Sequence, residues 1–438
     1  MSNYLNSWGH YPNRPQSSLV SNWRTEVAGH LIQLTDAHGD TLPYGNGRSY
    51  GDSCLAASDH VLNMRTLDRF INADWEQGTI TAEAGITLAE ILSISIQNGW
   101  FLSVTPGTQF VTLGGAIAND VHGKNHHIRG TFGNHVYSFG LQRSNLEPIV
   151  CSATENRELF AATIGGLGLT GVITWAKIQL IKIRSSQIDS VAQRFDNLSQ
   201  FFSLSEELDH QHEYSVAWID CLASGSKTGR GVFIVGDHSQ YGSLETEDRP
   251  KLHLPVTPPL SLINNLSLRA FNETYWRMQP SKRKYERVEY EPFFYPLDRI
   301  LHWNRMYGRK GFQQFQCVVP KTVAEPAVQE LLKAISLSGQ GSFLAVLKCC
   351  GSITSPGMMS FPMPGTSLAL DFPNTPMLER VLFPQLDKIV REAGGRLYPA
   401  KDAHMSGNDF RQAYPAWERL EALRDKGLMS RFWKRVIS

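Results

Sequence analysis

Between Pro43 and Asp52 the chain reads Pro-Tyr-Gly-Asn-Gly-Arg-Ser-Tyr-Gly-Asp, so that Tyr44, Gly45, Asn46, Gly47, Arg48, Ser49, Tyr50, Gly51 and Asp52 alternate glycine with polar residues. Glycine admits positive φ and leaves no Cβ between main chain and ligand, so successive backbone N–H groups can converge on phosphate oxygens. The segment reads as a pyrophosphate cradle. Sixty residues on, Pro106-Gly107-Thr108 and Thr112-Leu113-Gly114-Gly115-Ala116-Ile117-Ala118 again strip side chains from a surface built for close approach. Two such loops imply one long anionic ligand. They differ from the single G-x-G-x-x-G turn that opens a helix in the usual βαβ dinucleotide unit.

His122, Lys124, His126 and His127 sit in a glycine-flanked loop. They lack the helical H-E-x-x-H spacing and the cysteine partners of a metal site, and no metal is expected. Cys54, Cys151, Cys221, Cys317, Cys349 and Cys350 show neither C-x-x-C spacing nor the density of a disulfide scaffold, so they read as buried thiols.

At 438 residues the chain exceeds what one core usually supports, and two domains are expected. With 42 basic and 41 acidic side chains the net charge is +1, which offers no field to gather nucleic acid. The opening Met1-Ser2-Asn3-Tyr4-Leu5-Asn6-Ser7-Trp8 has no basic region followed by an apolar core, and no run of about 18 apolar residues follows anywhere. No signal peptide or membrane span is expected, and the location is read as cytoplasmic or peripheral at the inner membrane.

The elements that must position these loops follow from hydrophobic period. Thr79-Ile80-Thr81-Ala82-Glu83-Ala84 alternates as a strand, and 87–98 places Leu88, Ile91, Leu92 and Ile96 on one helical face behind a Thr87/Glu90 capping box, with Gly99 as its stop. A helix is expected over 156–164 and a strand over 172–183 with Ala176, Ile178 and Leu180 inward. From Ser186 onward, strand-like runs at 231–235 and 312–319 and a helix at 325–336 predict an antiparallel sheet flanked by helices. Between Tyr241 and Phe294 the pattern loosens through Pro250, Pro255, Pro258 and Pro259, an apolar 260–268 stretch and Lys282-Arg283-Lys284. This reads either as a solvated mobile loop or as a flap touching a membrane, aliphatics in the interface and cations on acidic headgroups.

The glycine loops, His122-Gly123-Lys124-Asn125-His126-His127, Phe132-Gly133-Asn134-His135, Gly168-Leu169-Thr170-Gly171, Ser215-Val216-Ala217-Trp218, Trp303-Asn304-Arg305, Gln314-Phe315-Gln316, Ser360-Phe361-Pro362, Asp371-Phe372-Pro373 and Gly395-Arg396-Leu397-Tyr398-Pro399-Ala400-Lys401-Asp402 resemble the vanillyl-alcohol-oxidase superfamily of flavoproteins, and within it the branch acting on polyprenyl-phosphate-linked ribose. The resemblance covers nearly the whole chain. It implies a two-domain α+β fold, with 1–185 and 396–438 as an FAD-binding domain and 186–395 as a substrate domain containing an antiparallel sheet. FAD contacts are implied at the first glycine loop, Gly107, Thr112, Leu113, Gly114, Gly115, Asn119, Asp120, Val121, His122, Ile173 and Tyr398. Lys401 is implied as the cation that stabilises negative charge on the reduced ring, with His122 or Lys124 near the reacting hydroxyl. Trp218, Gln314, Gln316, Lys348, Asp371 and Lys401 are implied around a sugar, Lys348 suiting a phosphate.

Many superfamily members bind flavin covalently through a histidine where this chain has Arg48, which implies non-covalent FAD. Where relatives on the same branch carry a cysteine beside the substrate this chain has Ala369, and the asparagine two residues earlier is Ser367, so a thiol-directed inhibitor has no target there. The implied activity is oxidation of the C2 hydroxyl of a polyprenylphosphoryl-β-D-ribose to the 2-keto sugar, completed to the arabinose lipid of cell-envelope glycan synthesis by a partner short-chain reductase. The alternatives are a sugar-alcohol or aldonolactone oxidase acting on free carbohydrate, and a flavin-free binding protein on the same fold.

Overall fold

The computed structural model describes residues 4–145, 147–246 and 251–438, so Pro250 lies outside the described residues. The first half is organised on two sheets. Ser17–Val20, His60–Asn63 and Pro43–Tyr44 form a parallel three-stranded sheet whose last strand runs directly into the first glycine loop. A larger antiparallel sheet orders Phe70–Asp74, Thr79–Glu83, Val172–Lys182, Val136–Gln142 and Ile149–Ser152, with Trp100–Leu102 pairing the far end of Val172–Lys182. Ala176, Ile178 and Leu180 are buried as their spacing predicts, while Lys177 is exposed.

The helix behind the second strand begins as read. Thr87 is the N-cap of Leu88–Ser95: its hydroxyl accepts from the Glu90 N–H at 3.3 Å, and the Glu90 carboxylate accepts from the Thr87 N–H at 2.7 Å. The helix tightens into a 3₁₀ turn, Ile96–Asn98, and stops at Gly99 with φ 81°. The 156–164 expectation resolves to Arg157–Thr163.

Eight strands between Gln187 and Leu397 form one antiparallel sheet, ordered Lys284–Glu289, Gln187–Phe195, Gly231–His238, Tyr214–Ile219, Ala345–Cys350, Gly365–Pro373, Phe312–Pro320 and Arg396–Leu397, while Leu252–His253 and Ile300–Leu301 pair separately. The helix Ala324–Ser338 covers it, burying Val328, Leu331, Leu332 and Ile335. The chain then returns to the first half: the Asp425 N–H donates to Leu169 O at 2.9 Å, and Ser430 bridges Ala56.

The 241–294 segment is more regular than its sequence suggests. It holds the helix Asn265–Met278, the strand Lys284–Glu289 and the helix Tyr290–Phe294. The first was hidden because only Leu268 and Asn272 of that helix are buried, so its apolar period is faint; Asn264, whose side chain accepts from Leu266 and Ser267 N–H, caps it. The strand was hidden because it is a polar edge without alternation.

Candidate active site

The two glycine loops, the end of the eight-stranded sheet and the C-terminal return enclose a cavity of about 360 Å³. Gly45, Asn46, Gly47, Arg48 and Ser49 all line it, and among the described residues none of their backbone N–H groups finds an acceptor in the protein. Five consecutive amides without a protein acceptor beside the cavity are what binding an anion by the main chain requires. Gly47 is forced twice, by φ 59° and because a Cβ there would strike the Tyr44 hydroxyl, which donates to Asn6 O at 2.6 Å. Gly107 is the informative contrast. It lines the cavity, needs no positive φ, and a Cβ on it would meet no protein atom within 4 Å, so its bareness serves whatever fills the cavity.

The loops are fastened from outside. The Asn46 amide donates to Phe110 O at 2.8 Å. Asp298, pushed up to about 6 by burial, accepts from the Gln109 N–H at 2.8 Å, and Gln109 donates in turn to Glu291. Thr112 caps the short helix Leu113–Ala118. Arg48 stacks its guanidinium 4.0 Å over Trp8 and 5.4 Å from Phe110, supporting the loop.

On the opposite wall, strand parity brings polar groups to one face. Gln314 and Gln316 are two apart; Gln316 faces Ala369 across one ladder, Ala369 faces Val346 across the next, and Lys348 faces Ser367. Lys348 Nζ lies 2.5 Å from His122 Nδ1 and 2.5 Å from Gly123 O, and Gln316 Nε2 lies 3.1 Å from His122 Nε2. Burial, reinforced by Lys348, holds His122 well below the ordinary imidazole range, so it is uncharged. Burial also lowers Lys348 to about 8, and Lys124, on the same cavity, to about 8.

Lys401 enters from the return turn. The Tyr398 N–H donates to Gln316 O at 2.9 Å, Tyr398 OH donates to Asn119 O at 2.8 Å, and the Lys401 N–H closes onto Tyr398 O at 3.0 Å. Burial lowers Lys401 while Asp371 opposes that shift; burial raises Asp371, which accepts from Gln314 Nε2 at 2.6 Å.

Asn119, Val121, Ile173 and Tyr398 also line the cavity. Six residues expected at the site do not reach its surface. Gly51 packs against the Asp402 carbonyl, where a Cβ would clash, and Asp52 accepts from Arg435 at 3.0 and 2.9 Å. Leu113 is core. Asp120, at φ 40°, accepts from Gly133 N–H, Ser355 and Ser360, stapling the 355–360 loop beneath His122. Trp218 and Asp371 are on the cavity side of the sheet but one row beyond it: Trp218 donates to Phe343 O at 2.8 Å and packs edge-on against Tyr275. The resemblance gave their side of the sheet and not their depth. Sequence reasoning missed Trp8, Asp298 and His302, which line or brace the mouth; they sit singly in irregular segments that carry no periodic signal.

This fold and cleft are those of a flavin-dependent oxidoreductase of the vanillyl-alcohol-oxidase type, and the sequence matches the FAD binding domain family over residues 25–143. It is 35% identical over 414 residues to the decaprenylphosphoryl-beta-D-ribose oxidase of Mycolicibacterium smegmatis, covering 91% of this chain and 89% of that one. The chain belongs to the decaprenylphosphoryl-β-D-ribose oxidase family. An uncharacterized Streptomyces coelicolor protein is 30% identical over 77% of this chain and 95% of its own. Similarity to the L-gulonolactone oxidase of Scyliorhinus torazame, 33% identity, is confined to 31% of each chain.

Proposed function

We propose that this protein, holding FAD non-covalently, oxidises the C2 hydroxyl of a polyprenylphosphoryl-β-D-ribose to the 2-keto sugar. The observation that carries this reading is the convergence of Lys401, the His122–Lys348 couple and the paired amides Gln314 and Gln316 on the cavity that the free-amide loop lines. Relatedness supports it, because the similarity to the ribose oxidase spans 91% of the chain, whereas that to the gulonolactone oxidases covers 31–37% of it.

Bound FAD supplies the acceptor for the hydride leaving C2. The chain supplies the proton path. A neutral Lys348 donates to Gly123 O and accepts from His122 Nδ1–H, which leaves Nε2 as an acceptor facing Gln316 Nε2. The hydroxyl proton passes to Nε2 as the Nδ1 proton passes to Lys348, so the couple ends with one added proton and positive charge on Lys348. Lys401 holds a cation against the negative charge that arrives with the hydride.

The division at about residues 185 and 396 separates the cofactor-binding part from the part that brings the sugar. No described helix is long and apolar enough to cross a membrane, and we place the enzyme peripherally on the membrane that carries its lipid substrate. Its keto product calls for a partner reductase that returns hydride to C2 from the other face. The experiment is turnover with a quinone-like dye, comparing polyprenylphosphoryl-ribose with free ribose and gulonolactone. Turnover on free sugar alone would replace this reading with the carbohydrate-oxidase one. Denaturing the protein and filtering it should release the flavin; flavin retained by the precipitate would overturn non-covalent binding.

A further inference from the structure

Lys348, which suits a phosphate on sequence grounds, is committed to His122 and Gly123 inside the cavity. A different group of basic side chains stands at the mouth. The main chain of 251–254 is fastened to the cavity lip by a short parallel pairing of Leu252–His253 with Ile300–Leu301, and by Leu252 N–H to Arg299 O at 2.8 Å and Leu254 N–H to Leu301 O at 3.1 Å. This sets the rings of His253 and His302 edge to face at 5.2 Å, and His302 lines the cavity. Lys251 is exposed, lies 5.3 Å over Phe110, and makes no ion pair among the described residues.

His302 takes a left-handed conformation, φ 59° and ψ 33°, at the start of the 3₁₀ helix Trp303–Tyr307. A bulky residue in that region is uncommon and concentrates at functional positions. Its ring is crowded by like charge: burial first, then Arg305, His253 and Arg48, hold it below the ordinary imidazole range. Asp298 faces Arg48 and Lys251 and also accepts from the Gln109 N–H. Arg305 is used to brace the lip, donating to Leu254 O and Pro255 O at 2.7 and 2.9 Å. Among the described residues the rim thus gathers Arg48, Lys251 and Arg305 beside the imidazoles of His253 and His302.

Immediately outside the rim, large aliphatic side chains stand in solvent. Leu252, Val256, Leu260 and Leu262 are 70%, 69%, 77% and 54% exposed. They belong to the stretch that runs along the lip, the Leu262 N–H donating to Met306 O at 2.9 Å. Single exposed aliphatics need no explanation; four in eleven residues, continuous with a cationic rim, do. From the inside outward the order is amide and ammonium groups, then a lysine with two imidazoles, then aliphatics, which is the order of a sugar, a phosphate and an isoprenoid chain.

We propose that Lys251, His253 and His302 form a subsite for the phosphate of an isoprenoid phosphate, with Leu252, Val256, Leu260 and Leu262 receiving the first part of its chain. This rests on the reading of the substrate as a lipid-linked sugar phosphate. The test titrates the FAD-loaded protein with farnesyl phosphate, farnesol and inorganic phosphate, following flavin fluorescence and heat. Farnesyl phosphate is expected to bind at least tenfold more tightly than farnesol, with inorganic phosphate a weak competitor. Lys251→Ala combined with His302→Asn, an exchange that tolerates the left-handed backbone, should abolish that preference while FAD content is retained. Leu260→Ser with Leu262→Ser should weaken farnesyl phosphate and spare inorganic phosphate.

Equal binding of farnesyl phosphate and farnesol, or unchanged binding by the Lys251/His302 variant, would overturn the subsite. So would binding to phosphatidylglycerol vesicles that farnesyl phosphate fails to displace, which would assign the rim to a bilayer surface. Failure of the substrate reading looks different: farnesyl phosphate binds through the rim, yet polyprenylphosphoryl-ribose leaves the flavin oxidised. Reduction by that sugar with an unchanged KM in the rim variant would leave the reaction standing and remove the subsite.

Discussion

The ammonium nitrogen of Lys401 lies 3.7 Å from the centroid of the Tyr50 ring, joining the return turn to the first glycine loop across 351 residues of chain. The main chain makes the same junction: the Tyr50 N–H donates to Ala400 O at 3.2 Å, and Gly51 leaves room for the Asp402 carbonyl. The first glycine loop and the lysine proposed to be catalytic are therefore held at one junction.

Replacing Lys401 by Met keeps the stem and removes the charge. The rate of flavin reduction should fall about 10²–10³-fold, the loss typical of a group that stabilises developing negative charge. FAD content and thermal stability should change little, because the stem still packs on Tyr50. Stopped-flow bleaching beside a flavin-to-protein ratio distinguishes the two effects; a loss of FAD in step with the rate would make Lys401 a structural residue.

The proton path sets a pH dependence. Burial lowers Lys348 to about 8 and the path needs it neutral, whereas Lys401, lowered by burial to about 7, must keep its proton, so flavin reduction should follow a bell centred between the two values whose rising limb requires Lys348 neutral. In Lys348→Met the limb should vanish together with most of the rate, and His122→Asn should behave alike because the two act as one unit. An unchanged limb in both variants would place the base elsewhere, with Lys124 the next group to test.

Gly47→Ala should impair cofactor retention. A non-glycine residue at its left-handed φ of 59° costs about 1–2 kcal/mol, and the added Cβ strikes the Tyr44 hydroxyl. The purified variant should carry substoichiometric FAD and recover its colour only at raised FAD concentration. Gly107→Ala meets no protein atom, so it should fold normally and lose FAD through the ligand clash alone.

His404 predicts how stability follows pH. Burial opposes its protonation, but Asp402 and Asp387, 3.3 and 3.1 Å away, outweigh burial and raise it above 6.5. A raised folded-state value means its stabilisation is complete below 6.5 and is lost as pH rises through the raised value. The melting temperature should decline over that window, and His404→Gln should be less stable at low pH and flat across it. Equal slopes in both proteins would show that other groups govern the trend.

What could be read in advance follows from how tightly the chemistry restricts residue type. Gly47 was legible because its left-handed backbone and tight surroundings tolerate nothing larger, and Thr87 with Glu90 because a capping box is local, whereas Gly51, expected at the cofactor, is bare for the Asp402 carbonyl instead. Gln314 and Gln316 were carried by the resemblance, and the strand's period of two explains why they share one face. Asp52 and Asp120 sit inside the motifs yet turn away from the cavity, toward Arg435 and toward Ser355 and Ser360, partners hundreds of residues distant that no local pattern announces. His302 and Lys251 were illegible for a related reason: the mouth is assembled by pairing two irregular segments nearly fifty residues apart.

The most direct measurement is anaerobic mixing of the FAD-loaded protein with polyprenylphosphoryl-β-D-ribose deuterated at C2, against the same lipid deuterated at C3. The account predicts that the flavin bleaches with both and that only C2 deuterium slows it. Absence of bleaching, or slowing by C3 deuterium instead, would contradict it.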